Sequence, residues 1–283
     1  MSEFNLANPE TLKKLLAQNG FSFNKSLGQN FLVDETVCPN MAQAASNDCV
    51  LEIGPGVGVL TKELCETAKK VIAIELDERL KPILNKTLGA YDNVKVIFAD
   101  AMKIDLEKLI LEEFGDTKVA VCANLPYYIT SPLIMRLLES HLPISSLTVM
   151  VQQEAAERLC AEVGTRAAGA VSVAVSYHTK PQILFEVPRD SFMPAPKVDS
   201  AVIQLVLRDK PQVEVKSEKA FFALIKAAFA MRRKTFVNSV SASLSIPKPQ
   251  IISVLEAQTI NPLIRAEALT MAQLGAISDA LEG

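Results

Sequence analysis

The chain has 283 residues, 49% apolar and 22% charged, with a net charge of −3; at roughly 150 residues per domain this predicts two domains and excludes global disorder. No run of ~18 apolar residues is present to span a bilayer, and the start, Met1 to Leu16, lacks the basic end and apolar stretch of an export signal, so a cytoplasmic protein with no membrane partner is expected. Five cysteines (38, 49, 65, 122 and 160), odd in number and without a Cys-x-x-Cys spacing, and two histidines, His141 and His178, argue against a disulfide framework and a structural zinc site, so no metal is expected.

The first predicted element is a helix from Asn8, a good N-cap with Pro9 in the first turn, through Leu12, Leu15 and Leu16 to a stop at Gly20. It reads as an accessory lid. The segment Ser26 to Leu32 leads to a helix near Asp34 to Ala45. Short β-rich runs then alternate with helical ones: 49–53, 71–75, 94–99, 118–123 and 146–151. Strands separated by helices imply right-handed crossovers and a mostly parallel sheet, so the fold class is α/β. The runs 170–177 and 200–207, separated by a loop holding Pro181, Pro188, Pro194 and Pro196, read as an antiparallel pair at the sheet edge. Beyond Ser217 only helical periodicity remains, broken by Pro247, Pro249 and Pro262. A boundary near residue 210 therefore divides an α/β domain, 1–210, from a small all-α domain, 211–283, that is too short for a large core of its own.

Charge is uneven along this order. From Lys197 to Lys234 nine basic residues face four acidic ones, a net of +5 that leaves −8 on the rest. A basic segment on an acidic body suits local phosphate binding, because charge held near a nucleic acid is what releases its counterions. A solvated charged surface is the competing reading.

Val50 to Ile53 run straight into Gly54-Pro55-Gly56-Val57-Gly58 and then into a helix near Leu60. Glycines at the carboxyl end of a first strand let the backbone approach a ligand, although Gly-x-Gly-x-Gly is not the Gly-x-Gly-x-x-Gly of dinucleotide enzymes. The second strand ends in Glu75, 21 residues after Gly54, where a carboxylate can accept both ribose hydroxyls of a nucleoside. An acidic N-cap is the alternative there, and it suits Asp77 better than Glu75. The third strand places Asp100 at the same rim, positioned to accept from the exocyclic amine of an adenine. The fourth ends in Asn124-Leu125-Pro126-Tyr127. Methylating an aromatic amine requires a site that binds its hydrogens and favours a pyramidal nitrogen; the Asn124 oxygen and the Leu125 carbonyl can accept them, Pro126 stiffens the turn, and Tyr127 can stack on a flipped purine. A plain Pro turn into a helix capped at Thr130 is the bland alternative.

These motifs resemble those of the ribosomal RNA adenine dimethylases, specifically the bacterial small-subunit enzymes. The resemblance includes Ser26 to Leu32, Val151 to Arg158 and Phe192-Met193-Pro194-Ala195-Pro196-Lys197-Val198-Asp199-Ser200, and so runs through almost the whole length. It implies a Rossmann-like methyltransferase sheet, S-adenosylmethionine as methyl donor, and, as acceptors, two neighbouring adenosines in a hairpin loop near the 3′ end of 16S ribosomal RNA in the 30S subunit. It further implies that Asn30, Leu32, Gly54, Gly56, Glu75, Asp100 and Asn124 line the cofactor site, that Leu125, Pro126 and Tyr127 complete the motif, and that Phe192 sits on the other face of the flipped adenine. Arg232, Arg233 and Lys234 resemble the family's basic triplet and are expected to contact phosphate, a solvated helix face being the alternative. Ala168 departs from the family's frequent Tyr. A monomer is expected.

Three other readings are weighed. The erythromycin-resistance dimethylases run the same chemistry on 23S RNA but more often resemble Asn-Ile-Pro-Tyr, and the long helical tail carrying Arg232-Arg233-Lys234 also favours the small-subunit enzymes. A non-catalytic assembly factor would have no need of intact Glu75, Asp100 and Asn124 to Tyr127. A nicotinamide oxidoreductase is disfavoured by the glycine spacing and the absence of an obvious hydride-site histidine.

Overall fold

The computed structural model describes residues 5–24, 28–140 and 142–282; Ser26 and Leu27 of the upstream motif, and His141, lie outside them. Asn8 caps the first helix, α1 (Pro9–Gln18): its Oδ1 accepts from the backbone N–H groups of Glu10 (2.9 Å) and Thr11 (3.1 Å), two of the donors a helix start leaves without a partner. Leu12, Leu15 and Leu16 form a buried stripe that packs with Leu80, Ile83 and Leu84. The apolar face of α1 is thus part of the core of the first unit.

Past β1 (Phe31–Leu32) and α2 (Val37–Ala44) come β2 (Cys49–Ile53), α3 (Val59–Thr67), β3 (Lys70–Glu75), α4 (Lys81–Leu88), β4 (Val94–Phe98), α5 (Leu106–Phe114), β5 (Val119–Asn124), α6 (Thr130–Glu139) and β6 (Ile144–Gln152). Helix α2 starts later than expected, because the Asp34 carboxylate accepts from the Thr36 N–H and hydroxyl in a turn ahead of it. Nor does Thr130 cap α6. Ile129 holds that place, and the Thr130 hydroxyl donates back to the Pro126 carbonyl at 3.3 Å. Strands β4, β3, β2, β5 and β6 lie in that order and are parallel. Val71 to Ile74 are fully buried, as befits strands covered on both faces. The strand order reverses between β2 and β5, where an open sheet leaves a crevice at the carboxyl ends of its strands.

The next stretch departs from the expectation. After α7 (Gln153–Leu159), residues 170–177 are not a strand but most of helix α8 (Ala170–His178), and the expected loop around Pro181 holds strand β7 (Thr179–Val187). The alternating valines at 171, 173 and 175 favour strand locally, but Ser172 to Val175 and Tyr177 are buried on nearly all sides of the helix, and packing overrides propensity. β8 (Phe192–Met193) pairs antiparallel with β1, setting Leu32 opposite Phe192. β9 (Ser200–Leu207) runs antiparallel to β6, and β7 lies outermost in the sheet. An edge strand is where Pro181, which lacks an N–H, is tolerated.

The chain forms two compact units: residues up to Ala156 together with Gln182–Leu207, and Glu157–Pro181 together with Arg208 onward. The single boundary expected near residue 210 therefore differs at 157–181. Val173 and Tyr177 belong to the core of the second unit, with Phe221, Phe236, Leu255 and Leu274. That unit is completed by α9 (Glu218–Phe229), α10 (Phe236–Leu244), α11 (Lys248–Ala257) and α12 (Met271–Glu282). Tyr177 stacks on Phe221 at 5.2 Å and donates to Glu218 at 3.0 Å. Among the described residues no helix is long and apolar enough to cross a membrane, all five cysteines are free, and no cluster of metal-ligating side chains is found.

Candidate active site

The first unit contains a cavity of about 310 Å³ at the carboxyl ends of β2, β3 and β5. Its floor is the glycine turn. Gly54 and Gly56 hold φ of +75° and +60°, and a Cβ on Gly56 would lie 3.0 Å from the Phe31 ring. Left-handed backbone and close approach together require glycine there.

Glu75 is buried beside this turn. Its Oε2 accepts from the Gly56 N–H (3.0 Å) and its Oε1 from the Asp77 N–H (2.8 Å). Burial pushes its carboxyl above the usual range, opposed by those backbone donors. Each oxygen keeps a further lone pair for an acceptor role. Asp77 does the capping instead: it accepts from the Arg79 N–H, from the Arg79 guanidinium and from Gln29 Nε2 (2.8 Å), and the Arg79 side chain holds its carboxyl low. Asp100 also lines the cavity; its Oδ1 accepts from the Met102 N–H (2.8 Å) and its Oδ2 lies 3.3 Å from Lys103 Nζ.

Asn124 closes β5 across from the glycine turn. Its Nδ2 donates to the Asn30 carbonyl at 3.5 Å, while Oδ1 has no partner among the described residues. Leu125 is fixed by its N–H to the Met150 carbonyl, and Pro126 by the Ile129 N–H on its own carbonyl. Tyr127 is half-buried, its Oη 3.1 Å from Ser200 Oγ, and burial raises its phenol. Asn30, Leu32, Gly54, Gly56, Glu75, Asp100 and the Asn124–Tyr127 motif thus surround one space.

One expected residue is not brought there. Phe192 does not line the cavity: it is 5% exposed, in the core with Cys38, Met41, Val187 and Val202. Paired with Leu32 across β1 and β8 and clustered with Cys38, both of which line the cavity, it lies behind the cavity wall. Arg232, Arg233 and Lys234 belong to the second unit and are exposed, on the turn between α9 and α10 rather than on a helix face.

Sequence reasoning gave Glu52 no role. It is 1% exposed, lines the cavity, and its Oε2 has no hydrogen-bond partner among the described residues. Burial pushes its carboxyl up to about 8, against a lowering by the neighbouring Thr61 hydroxyl. The only signal was a carboxylate in the middle of an otherwise apolar strand.

Residues 20–280 match the family described as ribosomal RNA adenine dimethylase. The ribosomal RNA small subunit methyltransferase A of Geobacillus thermodenitrificans is 48% identical, the alignment covering 98% of this chain and 97% of that protein. The protein of that name from Alkaliphilus oremlandii is 45% identical, with 98% of each covered. Among solved structures, a dimethyladenosine transferase from Plasmodium falciparum is similar at 29% identity and a TM-score of 0.73, over 87% of this chain and 95% of that one. The 23S rRNA methyltransferase ErmE is similar at 25% identity and a TM-score of 0.70, over 90% and 100%.

Proposed function

The chain belongs to the ribosomal RNA adenine dimethylase family, and from that premise we propose that it transfers methyl groups from S-adenosylmethionine to the N6 amines of two adjacent adenosines in a hairpin loop near the 3′ end of 16S ribosomal RNA, in the small (30S) subunit. Each adenosine receives two. The observation that carries the reading is that the Asn124–Tyr127 turn shares one cavity with Glu75 and the glycine turn. The small-subunit target is supported by relatives of that name that match nearly the whole chain at 45–48% identity.

The residues present fit the cofactor. Glu75, already oriented by two backbone donors, has capacity left for both ribose hydroxyls. Glu52 Oε2, buried without a hydrogen bond, suits the cofactor's ammonium group. Gly54 and Gly56 let the backbone come close, Asn30 and Leu32 wall the cavity, and Asp100 offers an acceptor for the adenine edge. When bound, the cofactor supplies a methyl group on a positively charged sulfur.

This chain's residues then prepare the acceptor. Asn124 Oδ1 and the Leu125 carbonyl accept the two amine hydrogens, which draws the nitrogen out of conjugation and directs its lone pair. Tyr127 stacks on the flipped base. Leu32, Leu60 and Leu125 keep water out, which favours a reaction that disperses charge. No strong base is needed, because the methylated ammonium loses its proton to water. Proximity and orientation supply much of the rate. Phe192 enters only as the support behind Leu32, and Arg232, Arg233 and Lys234 contact RNA phosphate. The reaction takes place in the cytoplasm, on the assembling subunit.

The test is transfer of labelled methyl groups to undermethylated 30S particles and, in parallel, to protein-free 23S RNA, followed by nucleoside analysis. Dimethyladenosine in the 30S sample alone is expected. Label in 23S RNA alone would move the chain to the resistance-type chemistry, and particle binding without label would reduce it to an assembly factor.

A further inference from the structure

We propose that Ser200 is a positioning residue for methyl transfer, acting through Tyr127; the proposal rests on the reading of the site given above. Ser200 is the first residue of β9 and is fully buried, in register with Gln152 of β6. Its Oγ lies 3.1 Å from Tyr127 Oη, and neither hydroxyl has another hydrogen bond among the described residues.

The two ends of Tyr127 are thereby held by different elements. Its backbone is set by the turn, through Leu125 N–H to the Met150 carbonyl and Ile129 N–H to the Pro126 carbonyl. Those bonds leave the ring torsion open, and a Tyr χ2 has only broad preferences of its own. Ser200 supplies a second point at the far end of the ring, which fixes the direction of its long axis, and because a phenol hydroxyl makes its hydrogen bonds near the plane of the ring, the same bond favours one ring plane. Neighbouring Tyr128 shows the alternative: 56% exposed, it makes no hydrogen bond through its hydroxyl among the described residues.

Ser200 is itself well placed to serve as an anchor. Immediately before it, the Asp199 carboxylate accepts from the Arg189 N–H (2.9 Å) and the Asp199 carbonyl from the Gln153 N–H (3.1 Å), closing the base of the proline-rich loop. A base stacked on a ring of fixed plane presents its amine in one direction, and a tilt of the ring carries the nitrogen off the line of transfer. Ser200 touches neither base nor cofactor in this scheme; it sets the angle.

The experiment measures single-turnover methyl transfer to undermethylated 30S particles by the wild type, Ser200→Ala, Tyr127→Phe and the double variant, with cofactor Kd and Tm for each. Each single variant is expected to lose roughly ten- to hundred-fold in rate with Kd within about two-fold of the wild type, and the double variant to lose no more than the worse single one. Losses that multiply, a Ser200→Ala rate equal to the wild type, or a loss accounted for by weaker cofactor binding would each overturn the proposal. If Ser200→Ala melts below the assay temperature, Tyr127→Phe, which leaves β9 untouched, decides alone: a wild-type rate overturns the anchor. Ring signals of ¹³C-tyrosine-labelled protein give a readout independent of substrate. The signal missing in Tyr127→Phe should shift and broaden in Ser200→Ala, and an unchanged signal overturns the anchor. Should the wild type fail to methylate 30S particles, the substrate reading falls and the ring signal still judges Ser200.

Discussion

The Asn124 side-chain nitrogen points at the Asn30 backbone carbonyl, 3.5 Å away. The contact is long, yet it assigns the amide: the nitrogen is turned toward the segment before β1, and the oxygen is left to accept from a ligand. A residue far upstream in sequence thus sets the polarity of the proposed reaction site.

Asn124→Ala is expected to fold and to bind cofactor within a few-fold of the wild type, while transfer falls by roughly 10²–10³, the usual loss when one preorganised polar partner of a reacting group is removed. Single-turnover transfer with isothermal calorimetry on the same preparation checks both halves. Near-normal rates would remove Asn124 from the chemistry.

Glu52 gives a pH signature. Its carboxyl stands at about 8 in the fold against 4.5 in the unfolded chain, so between those values the folded protein keeps a proton that the unfolded chain releases. Stability therefore declines as pH rises through that window and levels off above it. Glu52→Gln should melt higher than the wild type near pH 8, with the margin closing toward about pH 5 and amounting to a few kcal/mol at most, on the order of 1.4 kcal/mol for each tenfold difference in proton affinity between fold and unfolded chain. Parallel melting curves across the window would reject this account. The same variant should bind S-adenosylmethionine more weakly, which calorimetry would register.

Phe192 is assigned to packing. Phe192→Ala should cost about 3–5 kcal/mol of stability, the range for emptying an aromatic core position, measured by denaturant unfolding. Phe192→Leu should keep most of the fold and most of the transfer rate. A stable Phe192→Leu protein that transfers no methyl groups would instead place the ring against the substrate.

Arg232, Arg233 and Lys234 stand exposed on a turn. Replacing all three by Ala should weaken binding to 30S particles and flatten the dependence of log K on log salt by roughly 0.7–0.9 for every phosphate they neutralise. An unchanged slope would mark them as solvated surface.

Much of this arrangement was legible in the residues, for reasons that are local. Cys49–Ile53 runs into a Gly-Pro-Gly turn, and Ser200–Leu207 follows a proline-rich loop, so both strands were bounded correctly. Glu75 and Asp100 could be placed at one rim because parallel strands separated by helices bring their carboxyl ends to the same side. Residues 170–177 failed because alternating valines carry the strand signal, while the partners that make them a helix, Phe221 and its neighbours, lie far along the chain. Glu52 and Ser200 were missed for a similar reason: a lone carboxylate in an apolar strand and a serine at a strand start acquire meaning only from what lies across the sheet.

The passage of the chain between its two units has a consequence for synthesis. Helix α8 is made well before α9, yet Val173 and Tyr177 are buried among residues of the later helices. On the ribosome α8 therefore emerges with its apolar surface uncovered and must wait for Phe221 and Phe236 to be added. A nascent chain halted soon after Leu207 would carry every strand of the sheet together with an orphaned greasy helix, a form that chaperones and proteases recognise.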